Sequence, residues 1–363
     1  MAEQHFFKLK VNDIEENTRE AATVILEVPE SLSEPFKYRA GQYITVKLFM
    51  DGKELRRSYS ISSTPDEEDF HFTVKKVKGG KVSPYLVQQL KKGELLEVSA
   101  PEGKFTMDFS PDKKRAHYFF AAGSGITPVI SLIKDALNRE PKSEIFLLYG
   151  NKSEDQVIFK EELERLSLRY QGQFFYEKTF SGKKKGSLSR LFSSGGTPKN
   201  SLKGRIDGKL VDVFLEKHPS RRTEQHFFIC GPGDMLRKVS EHLKSKGIVP
   251  DCIHLEYFTV DDSGKKVITG SQDTLAIIKL NGETIEMTIP KDKNILETLQ
   301  DAGYDPPYSC TSGVCSSCMA KLTKGKVEME TCLALDDSEV EDGYILTCQS
   351  KSISPEIELT YEV

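Results

Sequence analysis

Apolar and polar residues alternate in short bursts through the first hundred positions, at residues 7–11, 23–28, 43–48, 58–61, 70–74 and 95–98. A period of two buries one face of a strand and wets the other, so six such bursts predict a small antiparallel β-barrel. Beyond residue 115 the rhythm changes. Apolar runs at 117–122, 145–149, 173–176 and 227–230 alternate with stretches of helical period such as 129–137, which predicts an α/β domain built on a parallel sheet. Strict alternation returns at 275–280 and 284–289 around Asn281 and Gly282, a pair suited to the left-handed backbone of a two-residue hairpin turn. Asn294 then offers an N-cap to a helix whose Ile295, Leu296, Leu299 and Ala302 share one face. Gly303 stands where that helix ends.

Three patterns imply three domains, and 363 residues with 37% hydrophobic content exceed one ordinary core. The expected division is a barrel over 1–110, an α/β nucleotide-binding domain over 111–260, a polar linker over 261–271 and a small module over 272–363. The lysines at 183–185 and the Ser- and Gly-rich residues 193–198 predict an exposed loop. No apolar run approaches twenty residues, so no membrane-spanning helix is expected. Seven cysteines, an odd count, and no secretory pattern ahead of His5 argue against a disulfide framework and for a cytoplasmic protein. Nothing points to nucleic acid, and the oligomeric state, monomer included, stays open.

Charge sharpens this division. From residue 272 onward there are seven Lys, no Arg and seventeen acids, a net of −10, and the whole chain carries −4, which leaves +6 for residues 1–271. An acidic module on a basic body predicts salt-sensitive docking, onto the body or onto another protein; a merely solvated acidic face fits the same numbers.

The most specific chemistry lies in Cys310, Cys315 and Cys318, with Cys348 thirty residues further on. Four thiolates at this spacing suit a [2Fe–2S] cluster, three wrapping it in a tight loop and the fourth arriving from a separate strand. Structural zinc is the alternative, yet it more usually shows paired Cys-x2-Cys knuckles or His ligands, and no His lies in the last hundred residues. Ser309, Ser312, Gly313, Ser316 and Ser317 keep the loop slim, so that backbone N–H groups can turn toward the sulfurs of an anionic cluster. Cys230, Cys252 and Cys332 fall outside the pattern. Hairpin, capped helix and cysteine loop together resemble a plant-type ferredoxin, which implies a β-grasp fold with Cys310, Cys315, Cys318 and Cys348 as cluster ligands.

Four further sites carry candidate chemistry. Arg56, Arg57, Ser58, Tyr59 and Ser60 set cation, ring and hydroxyl on consecutive residues, with Arg57 and Tyr59 on one face. A guanidinium can clamp a pyrophosphate while a neighbouring ring stacks on a planar cofactor. Gly79, Gly80, Lys81 and Val82 lead to Ser83, the expected N-cap, and Pro84, the expected first helical residue, a slim approach to an anion-holding helix N-terminus. Gly123, Gly125, Thr127 and Pro128 join an apolar strand to a helix as dinucleotide sites do, although Pro128 replaces the third glycine of the standard fingerprint. Cys230, Gly231, Pro232 and Met235 form a second turn of that kind.

Singly, the Arg-x-Tyr-Ser stretch and the Gly-Gly turn are more readily structural than functional; their order is informative. Arg-x-Tyr-Ser, then Gly-x-x-Ser, Gly-x-Gly-x-x-Pro and Cys-Gly-Pro-x-x-Met resemble the ferredoxin–NADP⁺ reductase superfamily. The resemblance implies FAD, with Arg57 and Ser83 on the pyrophosphate, Ser58 in the same strand, Tyr59 over the isoalloxazine and Ser60 near flavin N5. Thr73, Val74 and Lys75 would line the ribityl and adenine side, and Gly80, Lys81 and Val82 the phosphate turn. NADPH or NADH would lie along Gly123, Gly125, Thr127, Pro128, Gly231, Pro232 and Met235. Cys230 would sit beside nicotinamide C4, and Phe258 against the flavin, where Tyr257 is an equally aromatic neighbour. Ser60, Cys230 and Phe258 would thus touch the reacting atoms.

Taken in sequence, barrel, nucleotide domain and ferredoxin module are similar to the reductase components of bacterial multicomponent oxygenases. Residues 54–61, 204–208 and 307–310 resemble those of the phenylacetyl-CoA epoxidase type, with reductases of Rieske, ring-hydroxylating and steroid-hydroxylating oxygenases close by. The implied activity takes a hydride from NAD(P)H into FAD and passes single electrons through the cluster to a partner oxygenase, a diiron enzyme in the epoxidase case. A stand-alone diaphorase and a zinc-bearing binding module remain as other readings. Ser181 with the lysines at 183–185 suits a 2′-phosphate and favours NADPH slightly over NADH, though a basic loop is also a common solvated feature.

Overall fold

The computed structural model describes residues 5–182, 202–258, 268, 270 and 272–363. Six strands, β1 (Phe6–Thr18), β2 (Ala21–Glu27), β3 (Tyr43–Met50), β4 (Lys53–Ser60), β5 (Phe70–Lys75) and β6 (Leu95–Ser99), pair antiparallel in the order β4-β3-β6-β1-β2-β5. A bridge between Ile61, just past β4, and Phe72 of β5 closes the sheet into a barrel. Leu9, Val11, Val24, Ile44, Val46, Phe72 and Val98 fill it. β4 begins before the alternation at 58–61 indicates, because Asp51 (φ 52°) and Gly52 (φ 74°) take left-handed backbone and return Lys53 onto Met50. A helix α1 (Val82–Gln88) adds Val82 and Leu86 to the same core. Its start corrects the expected cap: Lys81 stands at the cap with no side-chain bond to the helix N-terminus, and Ser83, already inside the first turn, accepts the Val77 N–H at 3.0 Å.

The middle of the chain runs β7 (Ala116–Ala122), α2 (Ile126–Arg139), β8 (Glu144–Asn151), α3 (Lys160–Arg169), β9 (Phe174–Phe180), β10 (Leu202–Lys203), α4 (Gly208–Lys217), β11 (Gln225–Gly231), α5 (Gly233–Ser245) and β12 (Ile253–Tyr257). Its strands are all parallel, in the order β10-β9-β8-β7-β11-β12. The chain leaves β7 toward β8 on one side and later returns to β11 on the other, and such a reversal opens a crevice at the carboxyl ends where ligands bind. α2 is wedged against the barrel: it shares an apolar cluster with Ala21, Ala40 and Phe105, and Ser131 donates to the Ser63 carbonyl at 2.5 Å. Burial on both sides explains why its apolar positions exceed a single stripe.

The C-terminal module contains β13 (Thr274–Leu280), β14 (Glu283–Ile289), α6 (Ile295–Asp301), β15 (Met319–Lys324), β16 (Val327–Met329), α7 (Asp337–Glu341), β17 (Tyr344–Leu346), β18 (Ser350–Ser352) and β19 (Glu356–Thr360). A mixed sheet in the order β14-β13-β19-β15-β17, with β13 and β19 parallel, grips α6 in the β-grasp manner. Asn281 (φ 54°) and Gly282 (φ 78°) make the hairpin turn. Asn294 accepts the Glu297 N–H at 2.8 Å while Glu297 reaches back to the Asn294 N–H, a reciprocal cap, and Gly303 (φ 87°) follows the helix. Ile268 and Gly270 are bonded to Lys351 and Lys291 of this module. The rest of the expected linker, and the residues 183–185 and 193–198, lie outside the described residues. Among the described residues no helix is long and apolar enough to cross a membrane.

Candidate functional site

β4 presents the first set of side chains. Arg57 is exposed, with one N–H on the Arg56 carbonyl at 2.6 Å. Tyr59, on the same face, leans on Phe72 with ring centres 5.6 Å apart. Ser60 Oγ is buried with no hydrogen-bond partner. A hydroxyl in that state is costly unless a bound group satisfies it, so this end of β4 fits a polar planar cofactor. Ser58 turns the other way and bonds Ser309 at 2.7 Å. Thr73 and Val74 are buried on β5, and the Thr73 hydroxyl is engaged with Thr23 and Ser62. Lys75 reaches the turn at Gly123, its Nζ 3.7 Å from the place a Cβ would take there. Gly80 approaches the Val77 carbonyl closely, Val82 is buried, and Lys81 pairs with Asp51 at 2.6 Å.

At the carboxyl end of the parallel sheet, Gly123 (φ 56°) begins a tight turn that α2 continues. A Cβ on Gly125 would stand 2.1 Å from the Cys230 carbonyl oxygen, so only glycine lets this turn close on β11. Thr127 and Pro128 are buried in the first turn of α2, where Thr127 Oγ1 donates to the Ser124 carbonyl at 3.0 Å. The neighbouring turn brings Gly231 against Met235, with Pro232 exposed. Cys230 is fully buried, and burial, reinforced by Glu256, pushes its thiol well above the ordinary range. It is a neutral, soft side chain. Phe258 packs against the cluster that holds both Cys230 and Phe105, whereas Tyr257 joins the cluster on the opposite side of the sheet.

The cysteine loop folds around left-handed residues Thr311 (φ 54°) and Gly313 (φ 77°), and a Cβ on Gly313 would meet the Thr331 carbonyl at 2.5 Å. Cys315, Cys318 and Cys348 are buried and Cys310 is half-buried. The four thiols interact in a chain, Cys315 with Cys310, Cys310 with Cys348 and Cys348 with Cys318, and the Ser312 N–H points at Cys310 Sγ from 3.4 Å. Four converging thiols with a backbone donor, in a loop whose glycine tolerates no side chain, fit an anionic iron–sulfur cluster. Among the described residues no group of His, Cys, Asp or Glu is arranged around a single metal ion. Cys332 stays half-buried beside the loop.

The three domains meet. A cavity of about 170 Å³ is lined by Tyr43 and Phe105 of the barrel, His254 and Glu256 of β12, and Val314 and Cys315 of the cysteine loop. Sequence reasoning missed Glu256. Its surface opens on this cavity, and burial lifts its carboxyl to about 8, so it is neutral at pH 7. Tyr43 was also missed; burial, with help from Cys315 and Glu102, raises its phenol, which bonds Ser317 at 3.1 Å. Another cleft, of about 1030 Å³, lies elsewhere, and its acids, among them Glu15, Glu16, Glu67, Glu68, Asp69 and Glu161, outnumber Lys134, Lys160 and Arg165. Such a lining repels an anionic dinucleotide.

Family models match in the same order: an oxidoreductase FAD-binding domain at 8–107, an oxidoreductase NAD-binding domain at 119–241 and a 2Fe-2S iron-sulfur cluster binding domain at 278–352. A component of the 1,2-phenylacetyl-CoA epoxidase of Escherichia coli K12 is 32% identical over 360 residues, 98% of each chain. The chain belongs to the oxygenase reductase family. This reductase is also 30% identical to the ferredoxin reductase component of 3-ketosteroid-9-alpha-monooxygenase from Rhodococcus rhodochrous, over 97% of its own length and 96% of the relative's. Phthalate dioxygenase reductase shares the fold along 98% of both chains, with a TM-score of 0.56 at 23% identity. The reductase therefore binds FAD, a nicotinamide dinucleotide and a [2Fe–2S] cluster in its three domains, and it is an oxidoreductase that moves electrons between them.

Proposed function

We propose that this reductase delivers electrons from NADPH or NADH to a diiron oxygenase of the phenylacetyl-CoA epoxidase type. Similarity along the whole length to the Escherichia coli epoxidase component supports that partner. The cavity that Tyr43, Glu256 and Cys315 share carries the internal route, because it brings all three domains to one point. FAD, when bound, supplies the exchange between a two-electron hydride donor and a one-electron acceptor. Arg57, exposed on β4, would clamp its pyrophosphate with the turn at Gly80, Lys81, Val82 and Ser83. Tyr59 would cover the ring system, Thr73, Val74 and Lys75 would border the ribityl side, and the unpartnered Ser60 hydroxyl would find its hydrogen bond there. Gly123, Gly125, Thr127, Pro128, Gly231, Pro232 and Met235 would seat the dinucleotide at the crevice. Neutral Cys230 would orient the nicotinamide without repelling it, and Phe258 would close the opposite side against water. Cys310, Cys315, Cys318 and Cys348 would ligate the cluster.

A Cys315→Ala variant tests this order. Cytochrome c reduction by NAD(P)H should be lost while reduction of two-electron dyes largely survives, and equal loss of both would contradict the route. Purified diiron and Rieske oxygenases, each supplied with this reductase, distinguish the partner: turnover supported only in the Rieske system would favour the ketosteroid-type relatives.

A further inference from the structure

We propose that β4 is a two-sided strand whose second face, centred on Arg56, seats the ferredoxin module, so that Arg56 and Asp305 are positioning residues for electron transfer from FAD to the cluster. This rests on the functional reading above and adds to it what holds the two centres together. Alternation puts Leu55, Arg57 and Tyr59 on one side of β4 and Glu54, Arg56 and Ser58 on the other. The first side carries Arg57 and Tyr59, read above as nucleotide contacts, and Ser60 ends the strand beyond Ser58. On the second, all three side chains meet the module.

Arg56 is only 2% exposed. One Nη donates to both carboxylate oxygens of Asp305, at 2.7 and 3.0 Å, and its guanidinium lies 4.3 Å from the centre of the Tyr308 ring. From the barrel side Glu54 accepts its Nε–H at 2.7 Å and Phe6 underlies it at 4.9 Å. The Tyr308 hydroxyl reaches Glu54 at 3.4 Å, and Ser58 bonds Ser309 at 2.7 Å. Tyr308 and Ser309 immediately precede Cys310, so these bonds act on the cysteine loop itself. Its other end is tied as well: Ser317, next to Cys318, bonds Tyr43 and donates to Glu102 at 3.2 Å, and Lys104 pairs with Glu339 of α7.

The division of labour follows from desolvation. Glu54 and Phe6 contact the guanidinium from the barrel's own side. Asp305 and Tyr308 contact it from the module, and removing either one leaves a buried cation in the docked form short of a partner, which shifts the balance toward undocking. A net of +6 in residues 1–271 facing −10 in the module adds long-range attraction.

The test uses the holoenzyme with Asp305→Ala, Asp305→Glu and Tyr308→Leu. The Asp305 side chain is 73% exposed, so the module folds without it. Loss of this contact, whose carboxylate is largely exposed and screened, corresponds to roughly a 3- to 10-fold shift toward the undocked state. Deuterium uptake across 302–318 should accelerate by that factor in Asp305→Ala and Tyr308→Leu, with the paramagnetic signature of the reduced cluster unchanged. In anaerobic stopped flow, flavin reduction should keep its rate while cluster reduction slows, and Asp305→Glu should restore both readouts. Wild-type uptake and wild-type cluster reduction in Asp305→Ala would overturn the seat. A wild-type enzyme whose cluster NAD(P)H never reduces would instead overturn the functional reading beneath it.

Discussion

Glu256 shows how one residue acquires a role from its surroundings. Burial lifts its carboxyl to about 8 and its charge bears on Cys230, so its ionisation is felt where the nicotinamide would react. Below pH 8 the carboxyl is neutral; above it an anion appears in the cavity. Single-turnover flavin reduction should therefore bend near pH 8 in the native enzyme, and Glu256→Gln, which mimics the neutral acid, should lose that bend while keeping the low-pH rate. A bend retained in the glutamine variant would assign it to another group. Among single residues, the four cysteines were legible as a set, because their spacing along the chain already marks them and the fold brings their thiols together. Glu256 was not, since a Glu near the end of a strand ordinarily faces water and only the meeting of three domains encloses it. Arg56 was equally opaque: alternation sets it on the side opposite Arg57, but what it meets there comes from residues some 250 positions away.

At the scale of elements, β7, β11 and β12 carry His117, His226 and His254 in a row. His226 Nδ1 lies 3.2 Å from His254 Nε2, His117 and His226 stack at 5.8 Å, and His254 stacks on Phe228 at 4.4 Å. Burial holds all three below their ordinary range, His254 at about 4. Above pH 6.5 neither folded nor unfolded chain protonates them. As the pH falls toward 4 the unfolded chain takes the proton first, so folding stability is lost through that window. Glu256, raised to about 8, works in the opposite sense between pH 8 and 4.5, which makes a difference measurement necessary. His254→Phe should gain about 2 kcal/mol on the native protein between pH 7 and pH 5, read from denaturant midpoints. An unchanged difference would show that His254 titrates normally.

Most elements were legible because their apolar period survives in one stretch of chain. The first half of β4 was hidden because its charged residues break the apolar period, and Arg56 meets its carboxylate partner, Asp305, in another domain. The cap of α1 was misplaced because Ser83 serves the preceding turn rather than its own helix.

On the scale of the whole molecule, the order of three domains could be read, whereas their seating could not. Docking depends on bonds between residues hundreds of positions apart, and no local pattern announces them. The acidic module nevertheless makes a measurable claim about the outside partner. Raising ionic strength from about 0.01 M to about 0.15 M shortens the screening length from about 30 Å to about 8 Å. The KM for a basic acceptor such as cytochrome c should rise several-fold over that range while the KM for an uncharged dye stays level. A salt-independent KM would confine the charge asymmetry to internal docking.

β4 also constrains how this enzyme can change. Arg57 and Arg56 occupy opposite sides only by virtue of their parity along the strand. Insert or delete one residue ahead of them and the two guanidiniums trade places: under the proposed roles, nucleotide capture and domain assembly would fail in the same stroke. Either arginine's neighbours can be tuned alone, but the count of residues from the Asp51–Gly52 turn to Ser60 is frozen by two unrelated demands at once.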